Sequence, residues 1–250
     1  MPKVRDITQI IEKYASLSSM LEFDSAGLNF GDERNEVSGI LLAQNVTYAT
    51  LEECKELNCS LLVTHHPAVF GEIDEYTQSV LDRAKEYGVD LYSCHTNLDC
   101  SAGGLNDYVA NLLGMREVKV IDGCAREGII DELDLLSFAK KVAYVLDDNN
   151  VKIVGDTNKK IKKVALCTGA GARDEELVEY AKKNAIDCIV GGESKLSITL
   201  RVVDYSLSLI DVGHYDSEIF CINIFKEWLK DYASLLHISK ADVNPYKNIK

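Results

Sequence analysis

Two stretches of the chain can be laid one over the other. SGILLAQNVTYATLEECKELNCSLLVTHHP starts at Ser38, and KKVALCTGAGARDEELVEYAKKNAIDCIVGGES starts at Lys162. Each reads as an apolar strand, a turn, a helix, a second strand and a polar loop. Farther on, DLYSCHTNLD from Asp90 lies beside LSLIDVGHYDSE from Leu207. His95 then matches His214 and Asp99 matches Glu218, each pair 119 residues apart. A histidine followed four residues later by an acid thus comes after an apolar strand twice, at equivalent points. Internal repeats of this kind expose architecture. Two like halves are expected to pack around a pseudo-two-fold axis. The strand ends, where α/β proteins place ligands, then face each other across a cleft.

Apolar periodicity supplies the elements of both halves. Strands are expected at Ser38–Ala43, Ser60–Thr64, Asp90–Cys94, Lys163–Cys167, Asp187–Val190 and Leu207–Val212. Helices are expected at Asp6–Leu21 with Asp6 as N-cap, Ala49–Leu57, Thr77–Tyr87, Leu105–Leu113, Leu133–Leu146 and Asp174–Asn184. A short helix is expected at Ile198–Asp204 and a long one at Asp216–Tyr232. Buried parallel strands joined by helices define an α/β fold.

The chain has five histidines, His65, His66, His95, His214 and His237, and the first four sit at the ends of expected strands. Along an extended chain His65 and His66 point to opposite faces, and Pro67 keeps His66 extended. Diverging rings suit two ions better than one. If Asp216 opens a helix, His214 and Glu218 lie one turn apart and can chelate together. Asp99 is either a ligand or a turn residue. His95 is either a ligand or a group that orients Asp99 or a water, with a role in proton relay. His237 has no such neighbours.

Together His65, His66, Asp99, His214 and Glu218 supply three imidazoles and two carboxylates without a thiolate. That set fits two divalent ions, with Zn, Mn and Fe all compatible. Ions so paired suit hydrolysis, because they acidify water and stabilise developing negative charge. GAGA at Gly169–Ala172 is read as a tight turn, since it lacks the lysine of a phosphate-binding loop. Glu193 in GGES takes the repeat position of His66 and is expected to line the cleft.

Charge narrows the partners. Net charge is −13 over 250 residues, which argues against duplex DNA, since phosphate contacts need a positive surface. No apolar run reaches the length of a membrane span, and the N-terminus lacks a signal-peptide pattern. A cytoplasmic protein is therefore expected. Eight cysteines without a C-x-x-C pair read as reduced thiols packed in the core.

These motifs resemble a known family. DSAGLNFG (Asp24–Gly31), SGILLAQNVT, THHP, HTNLD followed by GGLND, and GHYDSE together look like the dinuclear metal centre family. Its members are labelled type 2 GTP cyclohydrolase I homologues or Nif-three-like proteins. The resemblance runs from about Asp6 to Tyr232 and fits the short form, without an inserted domain. It implies two intertwined α/β lobes with mixed sheets, taken as residues 1–122 with 222–250 and residues 123–221. It implies a two-metal site with ligands at His65, His66, Asp99, His214 and Glu218. It also implies a ring-shaped homohexamer built as a trimer of dimers. Two departures stand out: Asn45 in QNVT where many members carry Asp, and Leu196 and Ser197 where many carry histidine. The resulting expectation is a metal-dependent hydrolase for a small polar or nucleotide-like substrate. The alternative is a non-catalytic, metal-stabilised assembly or regulatory protein that binds a protein or single-stranded nucleic acid.

Overall fold

Short runs of apolar residues become fully buried strands, and the helices between them return the chain to the next strand in register. The computed structural model describes residues 1–147 and 150–247. They form two compact units. One comprises Met1–Gly104 and Cys221–Pro245; the other comprises Leu105–Phe220 and the residues from Tyr246.

The first unit opens with α1 (Val4–Tyr14). Val4, Ile7 and Ile11 form its buried face, the spacing of an amphipathic helix. Asp6 is not the N-cap, as expected, but sits inside the first turn. Its carboxylate accepts the Lys3 N–H at 2.8 Å and so stabilises the positive helix end. The helix stops at Tyr14, short of Leu21, and a 3₁₀ turn follows at Leu17–Ser19. Next come β1 (Gly27–Phe30), β2 (Ile40–Ala43), α2 (Tyr48–Glu56), β3 (Leu61–Thr64), α3 (Glu75–Tyr87), β4 (Asp90–Ser93) and α4 (Thr96–Cys100).

Every residue of β2, β3 and β4 is buried, as expected for parallel strands covered on both faces. The pairings β2–β3 and β3–β4 are parallel, and β1 adds to β4 antiparallel. Helices α2 and α3 cover this sheet with Leu51, Cys54, Val80, Leu81 and Ala84 against Leu41, Leu62 and Leu91. Gly88, at φ 68°, ends α3 in the left-handed region that glycine tolerates best.

The second unit contains α5 (Leu105–Leu112), β5 (Arg116–Ile121), β6 (Ala125–Asp134), α6 (Leu135–Leu146), β7 (Lys152–Val154) and β8 (Lys160–Cys167). It continues with α7 (Glu175–Lys183), β9 (Cys188–Gly191), α8 (Leu196–Asp204), β10 (Ser208–Asp211) and α9 (His214–Glu218). Strands β8, β9 and β10 are parallel neighbours, β7 joins β10 antiparallel, and β6 joins β8 antiparallel. The full order is β5-β6-β8-β9-β10-β7. The chain then returns to the first unit through α10 (Cys221–Trp228) and β11 (Leu236–Ile238), which pairs in parallel with β2.

In each sheet three strands that follow one another along the chain, β2–β3–β4 and β8–β9–β10, are parallel neighbours; β11 adds a fourth parallel strand to the first set and β1 an antiparallel one, while β6 and β7 flank the second set antiparallel. Each third strand leads into a helix of five residues bearing the His-x-x-x-acid step, α4 or α9. The single helix expected at Asp216–Tyr232 is broken. It is replaced by α9, α10 and a 3₁₀ segment at Lys230–Leu235. The break falls at Ile219 and Phe220, where the chain passes from the second unit to the first; the Phe220 ring packs 5.9 Å from that of Tyr108. The thiol reading needs one correction. Cys54, Cys59, Cys94, Cys167, Cys188 and Cys221 remain thiols, but Cys100 and Cys124 are disulfide-bonded. Spacing alone could not show this, because pairing is not encoded in spacing. Among the described residues no helix is long and apolar enough to cross a membrane.

Candidate metal centre

In the first unit the strand ends collect three imidazoles. β3 stops at Thr64, so the alternation of faces stops there too. His66 N–H donates to the Gln44 carbonyl at 2.9 Å, and Thr64 Oγ1 donates to the His66 carbonyl at 2.7 Å. These bonds turn the chain so that the rings of His65 and His66 lie 4.9 Å apart, not on opposite faces as expected. His95, just after β4, joins them with ring centroids 5.2 Å from His65 and 5.5 Å from His66. One ring nitrogen from each of the three lies within 4.8 Å of the others.

Hydrogen bonding decides which nitrogen each ring offers. His65 is fully buried, and its Nδ1 lies 2.9 Å from the Cys94 carbonyl oxygen. A carbonyl can only accept, so Nδ1 carries the proton and Nε2 keeps the lone pair. His66 Nδ1 lies 2.8 Å from Asn45 Oδ1, which assigns the same tautomer. His95 Nδ1 lies 2.8 Å from Asp24 Oδ1. Asp24 also accepts from Thr96 N at 2.9 Å and from the Thr96 hydroxyl. Burial alone would raise the Asp24 pKa, but the bonds from His95 and Thr96 outweigh it and hold the carboxyl at about 2. Metal-binding histidines are oriented in this way, by an acceptor on the far nitrogen.

Asp99 lies on α4, with Oδ1 3.7 Å from His65 Nε2. The helix is braced by Asn97, read from sequence as a turn former. Its Oδ1 accepts His95 N–H and its Nδ2 donates to the Ala15 carbonyl, both at 2.9 Å. Gly104 of GGLND closes against the same helix: a Cβ there would lie 1.9 Å from the Leu98 carbonyl oxygen. Cys94 belongs to no group of potential ligands among the described residues, and burial pushes its thiol well above the usual range, with the nearby Asp99 charge pushing it further.

In the second unit His214 and Glu218 share the short α9, with Nε2 and Oε2 3.1 Å apart. The helical spacing expected of them therefore holds, although His214 itself begins the helix and Gly213, at φ 74°, precedes it. His214 Nδ1 faces Glu193 Oε2 at 3.4 Å, and Glu193 is itself ion-paired with Arg173. Glu193 thus stands beside the outer nitrogen of His214, at a longer distance than Asp24 from His95.

GAGA forms a 3₁₀ turn, Gly169–Arg173, packed against α9. Gly169 N–H donates to Ser217 Oγ at 2.9 Å, and a Cβ on Gly169 would lie 1.9 Å from Glu218 Oε1. Glycine is required here both by φ 59° and by this approach. Gly192 of GGES is as tight, since its Cβ would lie 2.1 Å from the Gly169 carbonyl oxygen.

The donor atoms are imidazole nitrogens and carboxylate oxygens, a set suited to borderline and hard divalent ions. Sequence reasoning missed the contacts of Asp24, Asn45 and Arg173. Asp24 lies in a quoted motif and Asn45 stands out as a departure, but nothing marks Arg173. His237 lies in β11 and belongs to no group of potential ligands among the described residues.

A family model described as Duf34/NIF3 (NGG1p interacting factor 3) matches residues 2–245. A protein of Clostridium acetobutylicum named GTP cyclohydrolase 1 type 2 homolog is 29% identical, over 98% of each chain. One of the same name from Lactococcus lactis is 30% identical, over 99% of this chain and all of the relative. Among solved structures, reduced HcgD from Methanocaldococcus jannaschii superposes with a TM-score of 0.82 at 25% identity, covering 94% of this chain and 96% of that one. A Staphylococcus aureus hypothetical protein gives 0.87 at 21% identity, over 99% of each, and shares the fold.

Proposed function

The chain belongs to the Duf34/NIF3 family, and from that premise we propose that it is a metal-dependent hydrolase for a polar or nucleotide-like substrate. In this reading two divalent ions, Zn, Mn or Fe, are held by His65, His66, Asp99, His214 and Glu218. The observation that carries it is the shared tautomer of the first unit. Three imidazoles are each anchored through Nδ1, and one ring nitrogen of each lies within 4.8 Å of the others. Four relatives or more carry the name GTP cyclohydrolase 1 type 2 homolog, which favours a nucleotide-like substrate.

When bound, a pair of divalent ions supplies Lewis acidity and acidifies water near neutral pH. The chain's own residues do the rest. Glu193 and Arg173 hold the His214 ring. Asp24 keeps the His95 proton on Nδ1, which leaves Nε2 to take a proton from a reacting group. The proposal includes a cytoplasmic homohexamer, a trimer of dimers.

The test uses metal-loaded protein and a panel of nucleotides and phosphate esters. At least one should turn over. His95→Gln should keep the metal and lower kcat by about 10²–10⁴-fold, the range for a lost general base. No turnover across the panel, or full turnover by His95→Gln, contradicts the catalytic reading. One observation favours the alternative of a metal-stabilised binding protein. Leu196, Leu200 and Val203 lie at helical spacing on α8 and remain exposed. That reading expects no turnover but a melting temperature that falls on chelation.

A further inference from the structure

The Asn45 amide stands between His66 and the C-terminal segment. Its Oδ1 faces His66 Nδ1 at 2.8 Å, and its Nδ2 donates to Asp242 Oδ1 at 2.9 Å. Asp242 is buried, 8% exposed, and its other oxygen, Oδ2, accepts two backbone N–H groups, from Gln44 and from Asn45. The segment that delivers it is pinned in place. Ser239 N–H donates to the Leu42 carbonyl at 2.9 Å, extending the β11–β2 ladder. Glu53 of α2 accepts from Ser239 Oγ and from Lys240 N, the latter at 2.9 Å.

We infer that Asp242 is a positioning residue for His66, setting through the Asn45 amide which nitrogen His66 offers to a metal. The logic is one of donors and acceptors. A carboxylate accepts only, so Asn45 must turn its NH₂ to Asp242 and its oxygen to His66. An amide oxygen accepts only, so His66 must place its proton on Nδ1. Nε2 is left with its lone pair. This inference rests on the metal-binding reading of His66, although the tautomer it specifies exists without metal.

An isosteric change reverses the chain of bonds. In Asp242→Asn the two backbone N–H groups still demand an acceptor, so the new amide oxygen must take the place of Oδ2. Its NH₂ then replaces Oδ1 and faces Asn45. Asn45 flips to present its oxygen there, its NH₂ turns to His66, and His66 must accept at Nδ1. The proton moves to Nε2, the ligand atom. The exchange Asn45→Asp with Asp242→Asn restores the pattern, because a carboxylate at position 45 accepts from both sides.

The experiment is nitrogen NMR of histidine-labelled, metal-free protein at about pH 8, where an ordinary imidazole is neutral, with zinc titrations in parallel. Wild type should show His66 as the Nδ1–H tautomer, Asp242→Asn as Nε2–H, and the double exchange as Nδ1–H. Zinc affinity should fall about 10–100-fold in Asp242→Asn, as for a lost outer-sphere partner, and return in the double exchange. An Nε2–H His66 in wild type overturns the inference without any variant. So does Asp242→Asn protein that melts normally and keeps Nδ1–H. If the tautomers follow this pattern while wild type binds no zinc, the positioning role stands and the metal reading falls.

Discussion

Gly169→Ala is expected to leave the second unit folded and to disable its share of the metal centre. The new Cβ would lie 1.9 Å from Glu218 Oε1 and 3.2 Å from His214 Nε2. The clash is with the far end of a flexible side chain, so the carboxylate moves and the backbone does not. The direct cost to folding is the left-handed φ of 59°, about 1–2 kcal/mol for a residue with a Cβ. For a chain of this size that lowers the melting temperature by about 2–8 °C. The cost to binding is larger, because Glu218 can no longer hold its place beside His214. Zinc affinity at one position should fall by more than about 100-fold, beyond what losing an outer-sphere partner does. Gly192→Ala makes the contrast. Its Cβ would strike Gly169 backbone atoms at 2.1 and 2.6 Å, so the turn itself must yield and the folded fraction should drop. Calorimetric zinc titration beside thermal melts separates the two effects. Wild-type affinity in Gly169→Ala would mean that Glu218 is not a ligand.

The second large effect is expected from His65→Ala. His65 is fully buried at the centre of the first unit's cluster, between His66, His95 and Asp99. Removing it deletes a proposed ligand and leaves the Cys94 carbonyl without this donor. Metal content should fall by at least one ion per chain. In wild type, zinc at about 100 times its dissociation constant should stabilise the fold by about 2.7 kcal/mol; in His65→Ala most of that shift should vanish. His237→Ala, in β11, should change neither quantity. Elemental analysis reads the first and melting curves with and without zinc read the second. A full zinc-dependent shift in His65→Ala would remove His65 from the ligand set.

Much of the scaffold is legible because fully buried parallel strands read as unbroken apolar runs. ILLA, LLVT and DLYS form β2, β3 and β4, and KVALC, CIV and SLID fall within or form β8, β9 and β10. The strands that sequence does not announce have weaker signals. β1, β7 and β11 are three or four residues long and take their places by pairing with neighbours. β5 is exposed for most of its length, so it has no apolar face to read. The β5–β6 hairpin does carry a usable mark: Asp122 and Gly123 both have positive φ, as an Asp-Gly turn requires.

The site divides in the same way. The histidines and acids proposed as ligands lie in short motifs at or just after strand ends, so spacing marks them as candidates. Their outer partners come from distant segments. Asp24 is 71 residues from His95, and Asp242 is 197 residues from Asn45. No local pattern joins such pairs; only the folded five-stranded sheet and the pinned C-terminal segment bring them together. The expectation that His65 and His66 diverge fails for a local reason. Alternation of faces holds only within a strand, and β3 ends at Thr64, one residue before the pair.

The metal reading stands on a pair of ions held by His65, His66, Asp99, His214 and Glu218. Elemental analysis of the purified chain, joined to anomalous diffraction at the edge of the metal found, bears on it without intermediate steps. Two ions per chain are expected, each with Nε2 of a named histidine among its ligands. No bound metal, or ions ligated by none of these five residues, would contradict it.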